Sequence, residues 1–162
     1  IYTRDVVYIT NITPDEEAFL HGRMGYVPVE AEDLDFIRGK EEVCKLIVTN
    51  TDYDYLQQIH AEIRPLLDDI TVSFSSNRYI EFMHKGVIKG AGLWKLADIL
   101  GVAHEETMAI GDNINDIDML KAAGLSVGVH NLNPVIRQYC DVVTDATNNE
   151  GAVAEAIEKY VL

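Results

Sequence analysis

Two segments of the chain carry residues whose types and spacing could do chemistry. The first is Gly111-Asp112-Asn113-Ile114-Asn115-Asp116, which follows the apolar run Met108–Gly111 and opens a helical pattern. A turn can bring its two carboxylates to one site, and in open parallel α/β sheets ligands bind where the strands end. A hard cation such as Mg²⁺ takes oxygen ligands, keeps several waters and uses one or two carboxylates. Asp and Asn are equally common as caps at a helix start, so a metal site and a capped turn both fit the segment. An EF-hand loop does not. Counted from Asp112, its third position is Ile114 and its sixth is Ile117, where that loop needs an oxygen ligand and a glycine.

The second segment is Gly86-Val87-Ile88-Lys89-Gly90-Ala91-Gly92. Its glycines leave the backbone open to close approach, just ahead of a helix whose N-terminus favours anions. A lysine there can hold a phosphate as a point charge; a solvated surface lysine is the alternative. The order G-x-x-x-x-G-K-[ST] is absent, which removes a P-loop nucleotide hydrolase.

These residues must be positioned by the elements around them. From His84-Lys85-Gly86 onward, helix and strand patterns alternate at short spacing. Leu93, Leu96, Ala97 and Leu100 line one helix face, and Gly101 closes that helix. Met108–Gly111 reads as a short buried strand. Ile117, Leu120 and Ala123 mark a helix stopped by Gly124, followed by a strand over 126–129. Pro134 begins a helix through Gln138, residues 142–144 form a strand, and 152–161 form a last helix with Val153, Ala156, Ile157 and Tyr160 inward. This rhythm predicts parallel βαβ units. Upstream, residues 6–10, 43–48, 70–74 and 79–83 read as strands, the last two joined by a hairpin turn at Ser75-Ser76-Asn77-Arg78. Helices are predicted from Thr13-Pro14 and from Thr51-Asp52, the second with Tyr55, Leu56, Ile59 and Ile63 at helical spacing. The fold class is α/β, with a change of character near residue 84.

The 162 residues include 13 Lys+Arg against 27 Asp+Glu, a net charge of −14, with 48% hydrophobic and 25% charged residues. That is an ordinary globular composition, but the field repels nucleic-acid backbones and anionic membranes. A phosphorylated small molecule would need a local lysine and a bound cation. No apolar run approaches the roughly twenty residues of a membrane span, and no signal-peptide pattern is visible. Cys44 and Cys140 lack CxxC spacing and read as reduced thiols, which predicts a cytoplasmic location. His21, His60, His84, His104 and His130 show no metal-ligand spacing; His130, at a strand end, is expected near the candidate site.

Lys89 before a helix, GDNINDIDML after a strand, a small-residue strand ending in His130-Asn131, then Asp145 and Asn148-Asn149-Glu150-Gly151 follow one another in an order that resembles a known family. It is similar to the C-terminal part of a haloacid dehalogenase superfamily phosphatase, of the Cof-like group that dephosphorylates sugar phosphates and related small molecules. The resemblance is specific from about residue 86 to 162 and looser over 1–84, which resemble that group's α/β cap. It implies the C-terminal part of a Rossmann-like parallel core over 85–162 and most of a cap over 1–84.

The resemblance also implies roles. Lys89 would be catalytic and substrate-binding, steadying the nucleophile and the transferred phosphoryl group. Asp112 would ligate Mg²⁺. Asp116, the second acid of the motif, would be catalytic and act on the metal through water or orient the loop. Asn115 would lie near the substrate phosphate. The reaction would pass through an aspartyl-phosphate that water cleaves. The family's D-x-D-G-T segment, which carries that nucleophile, is not found: Asp33-Leu34-Asp35 runs on to Phe36-Ile37, and Asp116-Ile117-Asp118 belongs to the other motif. The expectation is a member lacking about a hundred N-terminal residues, the size of a small domain, and inactive alone. Its expected partners are a small phosphorylated metabolite and either the separated N-terminal segment or a second copy, paired along the Met108–Gly111 edge. A non-catalytic module that senses a phosphorylated metabolite is the alternative.

Overall fold

The computed structural model describes residues 1–39 and 42–162. The chain forms two compact units, Ile1–Lys85 and Gly86–Leu162.

The N-terminal unit runs β1 (Tyr2–Thr3), β2 (Tyr8–Thr10), α1 (Pro14–Leu20), β3 (Val27–Val29), β4 (Val43–Thr49), α2 (Tyr53–Ile63), β5 (Ile70–Ser75) and β6 (Tyr79–His84). An antiparallel sheet has the order β1-β4-β6-β5, and β2 and β3 form a separate parallel pair. The local signals act as their chemistry dictates. The Thr13 hydroxyl accepts from the Glu16 N–H (3.3 Å) with Pro14 in the first helical position, and the Asp52 carboxylate accepts from the Tyr55 N–H (3.0 Å). Ser76 and Asn77 sit at φ 52° and 50°, the paired positive values that let a two-residue turn follow the twist of its strands. β3 escapes the sequence reading because Pro28 cannot donate to a ladder, and it survives as an edge strand.

Strand alternation gives the antiparallel sheet two unlike faces. On one, Leu46, Val48, Ile80 and Phe82 share a register, Ile80 and the α2 residue Leu56 are fully buried, and Tyr53 and His60 meet the Phe74 ring edge to face. The other face is mixed, with Lys45, Thr49, Tyr79 and Glu81 beside Ile47 and Met83. The Glu16 carboxylate, 5% exposed, accepts from the Tyr79 hydroxyl (2.8 Å) and the Thr49 hydroxyl (3.3 Å) and pairs with the Arg78 guanidinium (3.0 Å). Burial, with the Glu16 hydrogen bond and charge added, pushes the Tyr79 hydroxyl well above the ordinary tyrosine range. This cluster ties α1 to both strands of the sheet centre.

The C-terminal unit runs α3 (Lys89–Leu100), β7 (Met108–Gly111), α4 (Ile117–Ala122), β8 (Leu125–Gly128), β9 (Val142–Val143) and α5 (Ala152–Tyr160). Its parallel sheet has the order β7-β8-β9, so β7 lies at an edge among the described strands. Ala109, Leu120, Ile136 and Cys140 form the core. α3 ends at Gly101 in the left-handed conformation (φ 68°), and Trp94 on α3 stacks flat on His104 while its indole N–H donates to the Ala122 carbonyl (2.9 Å).

Two further features, both in this unit, differ from the sequence reading. Pro134–Tyr139 is a 3₁₀ run, not an α-helix: the Ile136 N–H bonds the Asn133 carbonyl three residues back (2.9 Å), and so short a connection gains little from α geometry. The helix faces are also narrower than their periodicity. Ala97 and Ala156 are buried, but Leu96 and Leu100 are 55% and 65% exposed, and Val153, Ile157 and Tyr160 are exposed as well. A three-stranded sheet is too narrow to cover the whole apolar stripe of each helix. Both cysteines are free, Cys44 exposed and Cys140 buried. Among the described residues no helix is long and apolar enough to cross a membrane.

Removing Glu16 strands Arg78 in a poorly hydrated place. Glu16→Ala is expected to lower unfolding free energy by about 3 kcal/mol, as for other broken buried pairs, and Glu16→Gln by clearly less. Urea denaturation checks this; equal losses for the two variants would deny the ion pair its part.

Candidate active site

β7 is apolar and buried at alternate residues up to Gly111, and the chain then turns through Asp112 and Asn113 into a 3₁₀ turn, Ile114–Asp116. Asp116 is the pivot of that turn. Its carboxylate, in a residue only 4% exposed, accepts from the Asp112 N–H (2.9 Å) and the Asn113 N–H (3.1 Å) through Oδ2. Through Oδ1 it accepts from the Lys89 ammonium at 2.5 Å. Burial pushes the Asp116 carboxyl up, but the Lys89 hydrogen bond, the two backbone donors and the lysine charge outweigh it and hold the group below the ordinary carboxylate range.

Lys89 reaches Asp116 because two glycines remove obstacles. A Cβ on Gly90 would lie 2.5 Å from the Asp118 carbonyl oxygen, so only glycine lets the start of α3 approach α4 this closely. A Cβ on Gly111 would lie 2.7 Å from the Asp116 Cβ, in the space the carboxylate arm occupies. The sequence places Lys89 and Asp116 in one motif order; the close approach at Gly90 is what joins them. The lysine side chain stays half exposed, so its ammonium faces both Asp116 and solvent.

Asp112 is exposed at the end of β7. It is held at three atoms: its N–H by Asp116, its carbonyl by the Asn133 N–H (2.8 Å), and its Oδ2 by the Asn148 side-chain amide (3.4 Å). Its Oδ1 has no hydrogen-bond donor among the described residues. Asn115 is half-buried, and its side chain makes no hydrogen bond among those residues. The structure thus brings Lys89, Asp112 and Asp116 together and seats Asn115 on the same turn. His130 is exposed and bonds the Ala146 carbonyl through its backbone N–H. Among the described residues no group of three or more His, Cys, Asp or Glu side chains is gathered as a metal cage.

The sequence reading missed the amides around this turn. The Asn113 Oδ1 accepts from the Ile114 N–H (2.8 Å) and from the Asn133 amide (3.5 Å), and Asn131 and Asn148 bond each other. Asn131 and Asn148 do stand in the run of motifs that carries the family resemblance; Asn113 and Asn133 give no signal beyond their capping positions.

Residues 1–157 match the family described as haloacid dehalogenase-like hydrolase. The chain belongs to that family. A 5-amino-6-(5-phospho-D-ribitylamino)uracil phosphatase of Bacillus subtilis is 38% identical over 111 residues, covering 68% of this chain and 44% of its own length. A phosphoglycolate phosphatase of Archaeoglobus fulgidus is 34% identical over 130 residues, covering 80% of this chain and 54% of its own. Among solved structures, a haloacid dehalogenase-like hydrolase from Bacteroides thetaiotaomicron superposes with a TM-score of 0.75 at 31% identity, over 97% of this chain and 59% of that one. The chain spans about half the length of these family members.

A carboxyl whose folded pKa lies below its unfolded value adds stability above the unfolded value and loses it as pH falls through the folded one. Asp116 should behave so. The stability gap between the wild type and Asp116→Asn is expected to be full near neutrality and to shrink on acidification through and below the ordinary carboxylate range. Chemical denaturation at a series of pH values measures it; a gap that does not change with pH counts against the ionised pair.

Proposed function

We propose that this chain is part of a Mg²⁺-dependent phosphatase that hydrolyses small phosphorylated metabolites, sugar phosphates among them, in the cytoplasm. The observation that carries the reading is the Lys89–Asp116 pair set beside the exposed Asp112 at the end of a parallel strand. Asp116 spends both oxygens on the lysine and on two backbone N–H groups, which suits a part that orients the loop and the ammonium and meets a metal only through water. Asp112, with an oxygen left over, suits direct ligation. One such carboxylate fits Mg²⁺, which keeps several waters and needs few protein oxygens. When bound, the ion supplies positive charge against the phosphoryl oxygens.

The chain's own residues do the rest of the placement. Lys89, half exposed, presents a point charge to a phosphoryl oxygen while Asp116 fixes where that charge sits. Asn115 offers an amide donor to the same phosphate. In a chain of net charge −14, this local cation is what makes a dianionic substrate acceptable. In this reading Gly86–Leu162 is the C-terminal part of the core and Ile1–Lys85 most of a cap. The nucleophilic carboxylate comes from a polypeptide segment that pairs along the β7 edge, where a parallel strand would satisfy the open hydrogen-bonding groups and lie under cover on both faces; a second copy of the chain is the other candidate for that edge. The two family members named above act on chemically different phosphate monoesters, which supports a small phosphomonoester and leaves its organic part open. The absence of D-x-D-G-T from these residues favours a second reading, a non-catalytic module that binds a phosphorylated metabolite.

The protein encoded by the complete reading frame around this chain is expected to release phosphate from a panel of small phosphate monoesters in Mg²⁺. Chelation should abolish release, and Lys89→Ala or Asp112→Ala should cut it by about a hundredfold or more, the scale of losing one preorganised electrostatic group. A frame with D-x-D-G-T but no release across the panel would sink the enzyme reading; a frame without it, with metabolite binding intact, would favour the module. The 162-residue chain alone is expected to release no phosphate and to bind Mg²⁺ only weakly, since one carboxylate and waters make a poor site. Tight calorimetric binding lost in Asp112→Ala would contradict this.

A further inference from the structure

We infer that Asn131 and Asn148 act as a locked amide pair that aims the Asp112 carboxylate, and so serve as positioning residues for the cation site; the inference rests on Asp112 being a metal ligand as proposed above. The two asparagines come from separate loops, one after β8 and one between β9 and α5. They exchange two hydrogen bonds: the Asn131 side-chain amide donates to the Asn148 Oδ1 (3.1 Å), and the Asn148 backbone N–H donates to the Asn131 Oδ1 (3.0 Å). With its Oδ1 and backbone thus engaged, Asn148 can present its own amide in one orientation only, and that amide donates to the Asp112 Oδ2 (3.4 Å).

Both loops are themselves held. The His130 N–H bonds the Ala146 carbonyl (3.1 Å). The Glu155 carboxylate accepts from the Asp145 and Ala146 N–H groups (2.9 and 2.8 Å), and the Glu150 carboxylate accepts from the Thr147 N–H and hydroxyl (3.2 and 2.8 Å). Hydrogen bonds from Lys159 and from these backbone donors draw the Glu155 carboxyl down to about 2. The rigid loop ends at Asn148, and its last link is a neutral donor. A neutral donor is the right chemistry for the task. It fixes one carboxylate oxygen without cancelling the negative charge, whereas a lysine there would compete with the cation. The other oxygen, Oδ1, is left without a donor among the described residues. Partners that orient a metal-binding carboxylate typically change metal affinity 10–100-fold when removed.

The test is an NMR titration of the ¹⁵N-labelled 162-residue chain with Mg²⁺, following the Asp112 and Asn113 backbone amides, with Mn²⁺ broadening of the same signals as a second readout. Asn148→Ala is expected to weaken the apparent affinity about tenfold, and Asn131→Ala to do the same. The double variant should be no weaker than either single one, because each amide works through the other. Thermal melting should stay within a few degrees of the wild type, as for surface changes. Wild-type affinity in Asn148→Ala, with binding lost in Asp112→Ala, overturns the inference and leaves the metal site standing. Additive losses in the double variant also overturn it, since they would mean two independent effects. No shift in the wild type, or none removed by Asp112→Ala, overturns the underlying metal reading and this inference with it.

Discussion

A single buried carboxylate organises the C-terminal unit. Asp116 meets a lysine with one oxygen and two backbone N–H groups with the other, and each contact does something different. The backbone bonds hold the turn after β7 shut, which fixes the direction of Asp112. The lysine bond brings the start of α3 onto that turn. A buried carboxylate is tolerable only when its lone pairs are used and its charge is matched, so all three contacts are needed together. The capped turn that the sequence offers is present, and the carboxylate that closes it also meets the lysine. The carboxylate caps the turn with one oxygen and holds the lysine with the other.

How much of this was legible depended on whether the deciding interaction was local. The Thr13-Pro14 helix start, the Asp52 cap, the Ser76-Asn77 turn and the stop at Gly101 each rest on a few consecutive residues, and they stand where their chemistry puts them. β3 was hidden because Pro28 speaks against a strand, and only its partner β2 rescues it. The faces of α3 and α5 were legible as periodic but not as exposed: spacing records what a helix is able to bury, while burial depends on how much sheet lies beneath it. Lys89, Asp112 and Asp116 could be singled out because their order is distinctive, and the structure brings the three together. The hydrogen bonds between Asn131 and Asn148 were not readable, because an amide carries no spacing code and pairs wherever the fold delivers it.

The two units manage charge in contrasting ways. In the N-terminal unit, Glu16 and Arg78 neutralise each other within a nest of hydroxyls and an aromatic ring, the Arg78 guanidinium lying 4.6 Å from the centre of Phe19. That pairing is closed, and its work is to hold an element in place. In the C-terminal unit the lysine of the pair is half exposed and the neighbouring carboxylate is exposed. That pairing is left open on one side. Ion pairs of similar geometry thus differ in how far solvent reaches them, according to what surrounds them.

Trp94 is the one tryptophan in the chain, and its ring lies parallel to His104 at 5.2 Å with the indole N–H bonded to the last turn of α4. It therefore makes the molecule optically lopsided. Indole emission will follow the contact of α3 with α4, and through it the approach that sets Lys89 against Asp116, while the N-terminal unit stays dark at that wavelength. An unfolding curve recorded by tryptophan fluorescence describes only half of the protein, and the tyrosine-rich half needs a probe of its own.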